Sequence, residues 1–282
     1  MTGAPGSDDR RAATKGAPGR DDRRGATAFA TTRRLAIGGR HLAYHDSGTG
    51  APLLALHGHF SRGRTWARLA ERVAPEWRVV APDQRGHGRS SPAADYDREG
   101  YVADAACVID ALDLAPAVVL GHSLGGVNAY QLAARRPELV RAVIVEDAPA
   151  DVPPHPDAGS WTAPRRFPSL QALTEQVDDP YLLESAFEDD DGWGFRFDPD
   201  QLDRSRHLLT GDHWADWLAG EHPALLLHGL ESTRLVTAHA REMARRRPGT
   251  RLVEFPGAGH TIHDDDPEGF AAAVRSFLAE LP

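Results

Sequence analysis

Short, continuously apolar segments alternate with longer amphipathic segments along most of the chain, and this alternation constrains the fold more than any other feature. Continuous apolar segments are typical of parallel strands that helices cover on both faces of the sheet. The predicted strands lie at 53–56, 77–81, 117–120, 140–145, 224–227 and 252–255, after a hairpin of 34–37 and 41–44. Helices are predicted at 64–74, 99–113, 124–136 and 236–247 and from Asp266-Pro267 onward. The sequence therefore predicts an α/β fold with a mostly parallel central sheet flanked by helices on both faces.

Residues 150–222 interrupt this alternation. They carry nine of the chain's twenty aromatic residues, including Trp161, Trp193, Trp214 and Trp217, together with the acidic segment 188–191. We expect a mainly helical cap insertion here, between core segments 29–149 and 223–282. A cap at this point would lie over the carboxyl ends of the strands, where open α/β sheets bind ligands.

The first 28 residues differ in composition from the rest of the chain. Residues 3–15 and 16–28 are near-duplicates that are rich in glycine, proline and charge. Such segments bury too little apolar surface to offset the entropy lost on ordering. We therefore expect a disordered N-terminal extension over 1–28.

Composition excludes several classes of protein. Of the 32 basic residues, 31 are arginine, and Lys15 lies in the polar N-terminal segment, so the folded body offers no Schiff-base, PLP-anchoring or P-loop lysine. A net charge of −9 argues against nucleic-acid binding, and no apolar segment approaches the length of a membrane span. The single Cys107 cannot form an internal disulfide and fits a reducing compartment. We expect a cytoplasmic protein whose partner is a small-molecule substrate.

A G-x-S-x-G motif provides the candidate nucleophile. Gly121-His122-Ser123-Leu124-Gly125-Gly126 follows the predicted strand 117–120 and precedes a predicted helix, the setting of a nucleophile elbow. The turn is so tight that a side chain at either flanking position would collide with neighbouring backbone. The motif therefore predicts that Ser123 is held exposed at the amino end of the helix.

A serine at its ordinary pKa is a poor nucleophile and needs a general base. His260 ends the small-residue loop Gly257-Ala258-Gly259-His260, which follows the predicted strand 252–255. His263 is the competing base, and its position before three consecutive aspartates favours a solvated loop histidine. We therefore predict His260 as the base.

With these residues the chain resembles the α/β-hydrolase superfamily. The resemblance covers about 33–282 and rests on His57-Gly58, the stretch DQRGHGRS at 83–90, GHSLGG at 121–126 and GAGH at 257–260, in the order of the family. It implies an oxyanion hole formed by the backbone N–H groups of Leu124 and His59. It implies no metal and no organic cofactor, although His57 and His59 as a metal-binding pair are the alternative interpretation. The 83–90 loop, including His87, is expected to be structural.

The triad acid departs from the family pattern. Most members carry an aspartate three residues after the glycine that ends the penultimate strand, and Ser232 occupies that position here. Some subfamilies carry the acid at the end of the preceding core strand instead. Counting forward from Val140 gives Asp147, whereas counting back from Pro149 gives Glu146, and Glu231 is the third candidate. Strand register cannot slip without turning every side chain to the other face, so the forward count favours Asp147.

The resemblance implies a serine hydrolase that cleaves an ester, thioester or lactone bond of a small apolar substrate through an acyl-enzyme intermediate. Ser123, His260 and Asp147 would form the triad. Three alternatives stay open at this point: a carbon–carbon bond hydrolase, a biosynthetic lyase or cyclase, and a non-catalytic ligand-binding protein of the same fold.

Overall fold

The computed structural model describes residues 28–154, 165–177, 180–183, 185–197 and 199–282, and an eight-stranded sheet forms its centre. The strands in chain order are β1 (Arg33–Ile37), β2 (Arg40–Asp46), β3 (Ala51–Leu56), β4 (Trp77–Pro82), β5 (Ala117–His122), β6 (Val140–Glu146), β7 (Asp151–Val152), β8 (Ala186–Asp189), β9 (Gly192–Phe195), β10 (Gly211–Asp212), β11 (Ala224–Gly229) and β12 (Thr250–Phe255). The central sheet has the order β1-β2-β4-β3-β5-β6-β11-β12. The pairs from β4 to β12 are parallel, and the β1–β2 hairpin joins antiparallel at one edge.

Helices cover both faces of this sheet. They are α1 (Ala67–Val73), α2 (Arg98–Ala111), α3 (Leu124–Arg135), α4 (Leu170–Gln176), α5 (Pro180–Leu183), α6 (Pro199–Leu209), α7 (Trp214–Ala219), α8 (Thr237–Arg246), α9 (Ile262–Asp265) and α10 (Pro267–Ala279). Two apolar clusters separate the sheet from these helices, one including α2, α3 and α8 and the other α1 and α10. The structure confirms the predicted α/β fold, and Asp266 caps α10 through a hydrogen bond from Gly269 N–H, with Pro267 as the first helical residue.

The parallel strands bring distant parts of the chain to one edge of the sheet. Leu56, the last residue of β3, pairs with Gly121 of β5. His122, the last residue of β5, pairs with Glu146, the last residue of β6. Glu146 also pairs with Leu227 of β11. Because these strands all end at about the same level, the residues that follow them lie side by side at the carboxyl edge.

The insertion between β6 and β11 contains helices α4 to α7 and two small antiparallel sheets, β7 with β10 and β8 with β9. Its described part contains helices and strands, and the acidic segment 188–191 belongs to the β8–β9 hairpin. Trp161 and residues 1–27 of the predicted extension 1–28 lie outside the described residues. Within the described ranges, no helix has the length and apolar character needed to cross a membrane.

Trp217 of α7 attaches the insertion to the core. Its side chain is fully buried, and its indole N–H donates to the carbonyl oxygen of Met243 in α8 at 3.0 Å. Its ring packs edge-to-face against Tyr130 of α3, with centroids 5.7 Å apart, and Arg247 lies over its face at 4.6 Å. Trp217 therefore holds the insertion to two core helices.

We predict that Trp217→Ala lowers the free energy of unfolding by about 3–5 kcal/mol, because a buried tryptophan leaves a large cavity when it is truncated. Urea denaturation followed by circular dichroism measures this loss. Trp214→Ala is the matched control, since Trp214 is only partly buried and packs against Arg246 and His239. Equal losses in the two variants would contradict the anchoring role of Trp217.

Candidate active site

Ser123 occupies a strained turn between β5 and α3. Its backbone has φ 52° and ψ −115°, outside the conformations that residues with a side chain favour. Such geometry costs about 1–3 kcal/mol and persists only where the surrounding structure enforces it. The enforcing contacts are a hydrogen bond from Ser123 N–H to Glu146 O at 3.0 Å and one from Val127 N–H to Ser123 O at 3.1 Å.

The glycines on either side of Ser123 are required by close backbone approach. A Cβ atom on Gly121 would lie 2.0 Å from the carbonyl oxygen of Gly125, and one on Gly125 would lie 2.2 Å from that of Leu56. Neither backbone oxygen can move away without opening the sheet or the helix. The motif is therefore dictated by packing as well as by chemistry.

His260 follows β12 and contacts the carboxylate of Asp147. Its Nδ1 lies 2.7 Å from Asp147 Oδ2. The imidazole is 27% exposed, whereas the carboxylate is fully buried. His122, the residue before Ser123, donates from Nε2 to the carbonyl oxygen of His260 at 2.9 Å, which ties the histidine loop to the serine turn. With Nδ1 donating to Asp147, the other ring nitrogen, Nε2, remains available as a proton acceptor.

The carboxylate of Asp147 is held by donors from three directions. Oδ1 accepts from His228 Nδ1 at 3.1 Å and from Gly229 N–H at 3.3 Å, and Oδ2 accepts from Ser232 Oγ as well as from His260. Burial alone would raise the pKa of Asp147, but the hydrogen bonds from His228, His260 and Ser232 outweigh it and lower that pKa below its usual value. Ser232, at the expected acid position, thus donates to the aspartate on the neighbouring strand.

The other two candidate acids do not contact His260 in the described structure. Glu146 is fully buried and accepts from the backbone N–H and from Nδ1 of His263, at 2.9 and 2.8 Å. Glu231 is exposed, and its backbone N–H donates to Ala258 O at 2.9 Å. The expectation that His263 is solvated is wrong: it is buried, because Glu146 and Thr65 Oγ1 satisfy its two ring nitrogens.

The loop at 57–61 after β3 carries His59, the predicted oxyanion donor, and is called the oxyanion loop below; hydrogen bonds fix its backbone. Gln84 N–H donates to His57 Nε2 at 2.9 Å, so the proton of the neutral ring is on Nδ1, which donates to Gly58 O at 2.7 Å. Ser61 N–H also donates to Gly58 O, at 3.3 Å. The Gly58 carbonyl and the His59 N–H belong to one peptide group and point in opposite directions, so these bonds set the direction of the His59 N–H. Leu124 is the first residue of α3, where backbone N–H groups have no intrahelical acceptor.

The side chains of His57 and His87 are used inside the fold. Both ring nitrogens of His57 are hydrogen-bonded, as described above, and neither is oriented for a metal. His87 is fully buried, and its Nδ1 hydrogen-bonds to Arg85 O at 2.9 Å. Over the described ranges, histidine, cysteine and acidic side chains form no group of three or more with the spacing of a metal site.

Sequence reasoning missed the side chains of the insertion that reach the oxyanion loop. His59 Nε2 hydrogen-bonds to Ser205 Oγ of α6 at 2.9 Å, and Ser185 Oγ donates to Phe60 O. Phe60 packs against Phe197, with ring centroids 5.1 Å apart. A Cβ atom on Gly58 would lie 2.6 Å from the hydroxyl of Tyr181, so Tyr181 also covers this loop. The insertion has no repeating pattern that would have identified these residues, and Trp217, singled out by its type, has an anchoring role instead.

The chain is similar in sequence and in fold to known hydrolases. The sequence profile of the Alpha/beta hydrolase family matches residues 53–273. The sn-1-specific diacylglycerol lipase ABHD11 of Mus musculus is 31% identical over 251 residues, covering 80% of this chain and 80% of that protein. The 2-hydroxymuconate semialdehyde hydrolase of Pseudomonas sp. (strain CF600) is 28% identical over 269 residues, covering 88% and 94%. The crystal structure of E-2-(acetamidomethylene)succinate hydrolase superposes with a TM-score of 0.76 and 25% identity, covering 88% of this chain and 99% of that one.

Because His87 is fully buried, we predict that the free energy of unfolding depends on pH. Burial lowers its pKa to about 4, below the ordinary 6.5, so protonation favours the unfolded chain. The contribution of neutral His87 to the free energy of unfolding is complete above pH 6.5. As the pH falls towards 4, this contribution decreases by about 1.4 kcal/mol per pH unit. In His87→Asn, the free energy of unfolding should therefore fall less steeply over this window, as urea denaturation at several pH values measures.

Val79→Ala is the control for this experiment. Val79 is fully buried and does not titrate, so its truncation lowers the free energy of unfolding at every pH without changing the slope. A His87→Asn slope equal to that of Val79→Ala would contradict the prediction.

Proposed function

Because the chain belongs to the Alpha/beta hydrolase family, we propose that it is a serine hydrolase that cleaves an ester, thioester or lactone bond of a small apolar substrate through an acyl-enzyme intermediate. The observation that carries this proposal is the 2.7 Å contact between His260 Nδ1 and the buried Asp147 carboxylate, at the same sheet edge as a serine in the strained elbow conformation. A buried carboxylate that accepts a hydrogen bond from the Nδ1 N–H leaves Nε2 unprotonated and able to act as a general base.

In the proposed mechanism, Ser123 Oγ attacks the carbonyl carbon while His260 Nε2 takes the hydroxyl proton. Asp147 orients the ring and stabilises the imidazolium that forms. The backbone N–H groups of Leu124 and His59 stabilise the negative oxygen of the tetrahedral intermediate. His260 then returns its proton to the leaving alcohol or thiol. A water molecule, deprotonated by the same histidine, releases the acid product and restores Ser123.

The side chains around the oxyanion loop support a small, partly apolar substrate. Phe60 belongs to this loop, Phe197 and Tyr181 lie against it, and Phe195 stacks on Phe197 with ring centroids 5.2 Å apart. Aromatic walls with a few polar groups are typical of small-molecule sites. In this proposal the insertion acts as a cap that closes over the carboxyl edge of the sheet and shapes the pocket.

Hydrolysis of a carbon–carbon bond is the second candidate, favoured by the similarity to 2-hydroxymuconate semialdehyde hydrolase. That name describes a substrate without an ester, thioester or lactone bond. A panel of 4-nitrophenyl esters, thioesters, lactones and vinylogous 1,5-diketones separates the two candidates. Turnover of the diketones alone, with no acyl transfer from any ester, would favour carbon–carbon bond cleavage.

We predict that Ser123→Ala lowers ester hydrolysis by at least ~10³-fold with an unchanged melting temperature, because the variant has no nucleophile. A fluorophosphonate probe should label the wild-type protein once, at Ser123, and leave the variant unlabelled, as mass spectrometry of the peptides would show. Unchanged turnover in Ser123→Ala would exclude the proposed mechanism.

We predict that Asp147→Asn lowers kcat by roughly 10⁴-fold, because an amide of the same shape neither stabilises the imidazolium nor fixes the reactive tautomer. Glu231→Gln, on the exposed loop after β11, is the control and should stay within about tenfold of the wild type. Steady-state kinetics on the best ester of the panel measures both. Comparable activity of Asp147→Asn and Glu231→Gln would show that Asp147 is not the triad acid.

A further inference from the structure

A chain of polar side chains leads from the start of α2 to the oxyanion loop; Asn128 and Gln84 are buried, Arg98 is partly buried, and none of the three belongs to the proposed triad. Arg98, the first residue of α2, donates from one terminal nitrogen to Asn128 Oδ1 of α3. Asn128 Nδ2 donates to Gln84 Oε1 at 2.6 Å, and Gln84 Nε2 donates to His57 O at 2.5 Å. Asn128 is fully buried and Gln84 is 5% exposed, so water competes little for these bonds.

The two ends of this chain determine the direction of every bond in it. A guanidinium has only donors, and the His57 carbonyl has only an acceptor. Asn128 must turn its oxygen to Arg98 and therefore its amino group to Gln84. Gln84 must then turn its own amino group to His57. Since burial lowers the pKa of Arg98 only to about 10, the guanidinium stays protonated at neutral pH and the direction is maintained.

Gln84 controls the oxyanion loop at two points. Its side chain holds the His57 carbonyl, and its backbone N–H holds His57 Nε2, which leaves the Nδ1 proton to bind Gly58 O. The peptide group that carries Gly58 O also carries the His59 N–H. A change in the position of Gln84 therefore changes the direction of that N–H.

Arg98 also makes a second branch that leads away from this loop. Its Nε donates to Gln131 Oε1 at 3.0 Å, and Gln131 Nε2 donates to Asp216 of α7 at 2.9 Å. Both branches start at the same arginine and contain the same kind of amide side chain. The Gln131 branch reaches the insertion, however, and has no contact with His57.

We propose that Arg98, acting through Asn128 and Gln84, is a positioning residue that aligns the His59 N–H for the oxyanion. This inference rests on the proposed function, because it assigns a task to residues around the same oxyanion hole. Its consequence is that reversing one amide inside the chain should impair the reaction without impairing the fold.

Asn128→Asp makes that reversal with almost no change in volume. The new carboxylate accepts from Arg98 but cannot donate to Gln84 Oε1, so the Gln84 amide turns over and presents an oxygen to His57 O. Loss of an oxyanion donor costs about 10²–10³-fold in kcat, and a misdirected donor should cost less, about 10- to 100-fold. KM should stay within about threefold, because the oxyanion forms only after the substrate has bound.

Gln84→Glu is the second variant, since it keeps the acceptor for Asn128 and removes the donor to His57. Gln131→Glu is the matched control, because it places the same new carboxylate on the same arginine, on the other branch. Each variant is measured for kcat, KM, melting temperature and inhibition by a trifluoromethyl ketone analogue of the ester. The analogue forms an oxyanion in the site, so its inhibition constant should rise in parallel with the fall in kcat.

The expected result is a loss of at least tenfold in kcat, matched by the analogue, in Asn128→Asp and Gln84→Glu, with Gln131→Glu within threefold of the wild type. Three results would overturn the inference: both variants within threefold of wild-type kcat, an equal loss in Gln131→Glu, or a loss confined to KM. Misfolding of Asn128→Asp leaves Gln84→Glu to decide between these results. Failure of the proposed function shows separately, as full activity in Ser123→Ala or no ester hydrolysis by the wild type.

Discussion

The buried carboxylate of Asp147 is the point on which the site depends, because it joins the ends of three strands. Asp147 follows β6, Gly229 ends β11, and His260 follows β12, and each of the other two donates a hydrogen bond to Asp147. A carboxylate removed from water is costly unless several donors surround it. Two of the donors, His228 and Gly229, belong to β11, whose position the parallel sheet already fixes, and the other two, Ser232 and His260, lie in the loops that follow β11 and β12. The low pKa of the carboxyl group follows from the same contacts.

The same sheet edge also maintains two strained residues. Ser123 and Asp147 both have positive φ, at 52° and 47°, and they follow neighbouring strands. Each is held by a backbone bond to the adjacent strand: Ser123 N–H to Glu146 O, and Asp147 N–H to Leu227 O at 2.9 Å. The backbone strain at Ser123 and at Asp147 is thus offset by hydrogen bonds to the adjacent strand. The side chains of both residues leave the sheet at its carboxyl edge, where the proposed mechanism requires them.

Periodicity and motif together predicted the sheet, the helices and the elbow, because each of these depends on residues close together in sequence. The choice between Glu146 and Asp147 was harder, since both are acidic and adjacent. Glu146 is the last residue of β6 and meets His263, whereas Asp147 follows the strand with positive φ and meets His260. The forward count from Val140 favoured Asp147, whereas the solvated position expected for His263 was wrong because its partner lies 117 residues away. The pairs Arg98 with Asn128 and Asn128 with Gln84 are likewise distant in sequence and leave no local pattern.

In the proposed triad, the position of the acid is compatible with the order of the strands. β6 and β11 are neighbours, and Leu227 pairs with Glu146, so a carboxylate at the end of either strand lies within reach of the same histidine loop. With Asp147 on β6, the position three residues after Gly229 needs no acid, and a second carboxylate there would repel the first. Ser232 is small and carries a hydroxyl, so it fits beside Asp147 and donates to it. His228 and Gly229 occupy the remaining oxygen. In the proposed triad, an acid that follows β6 is therefore surrounded by donors from β11 and from the loops that follow β11 and β12.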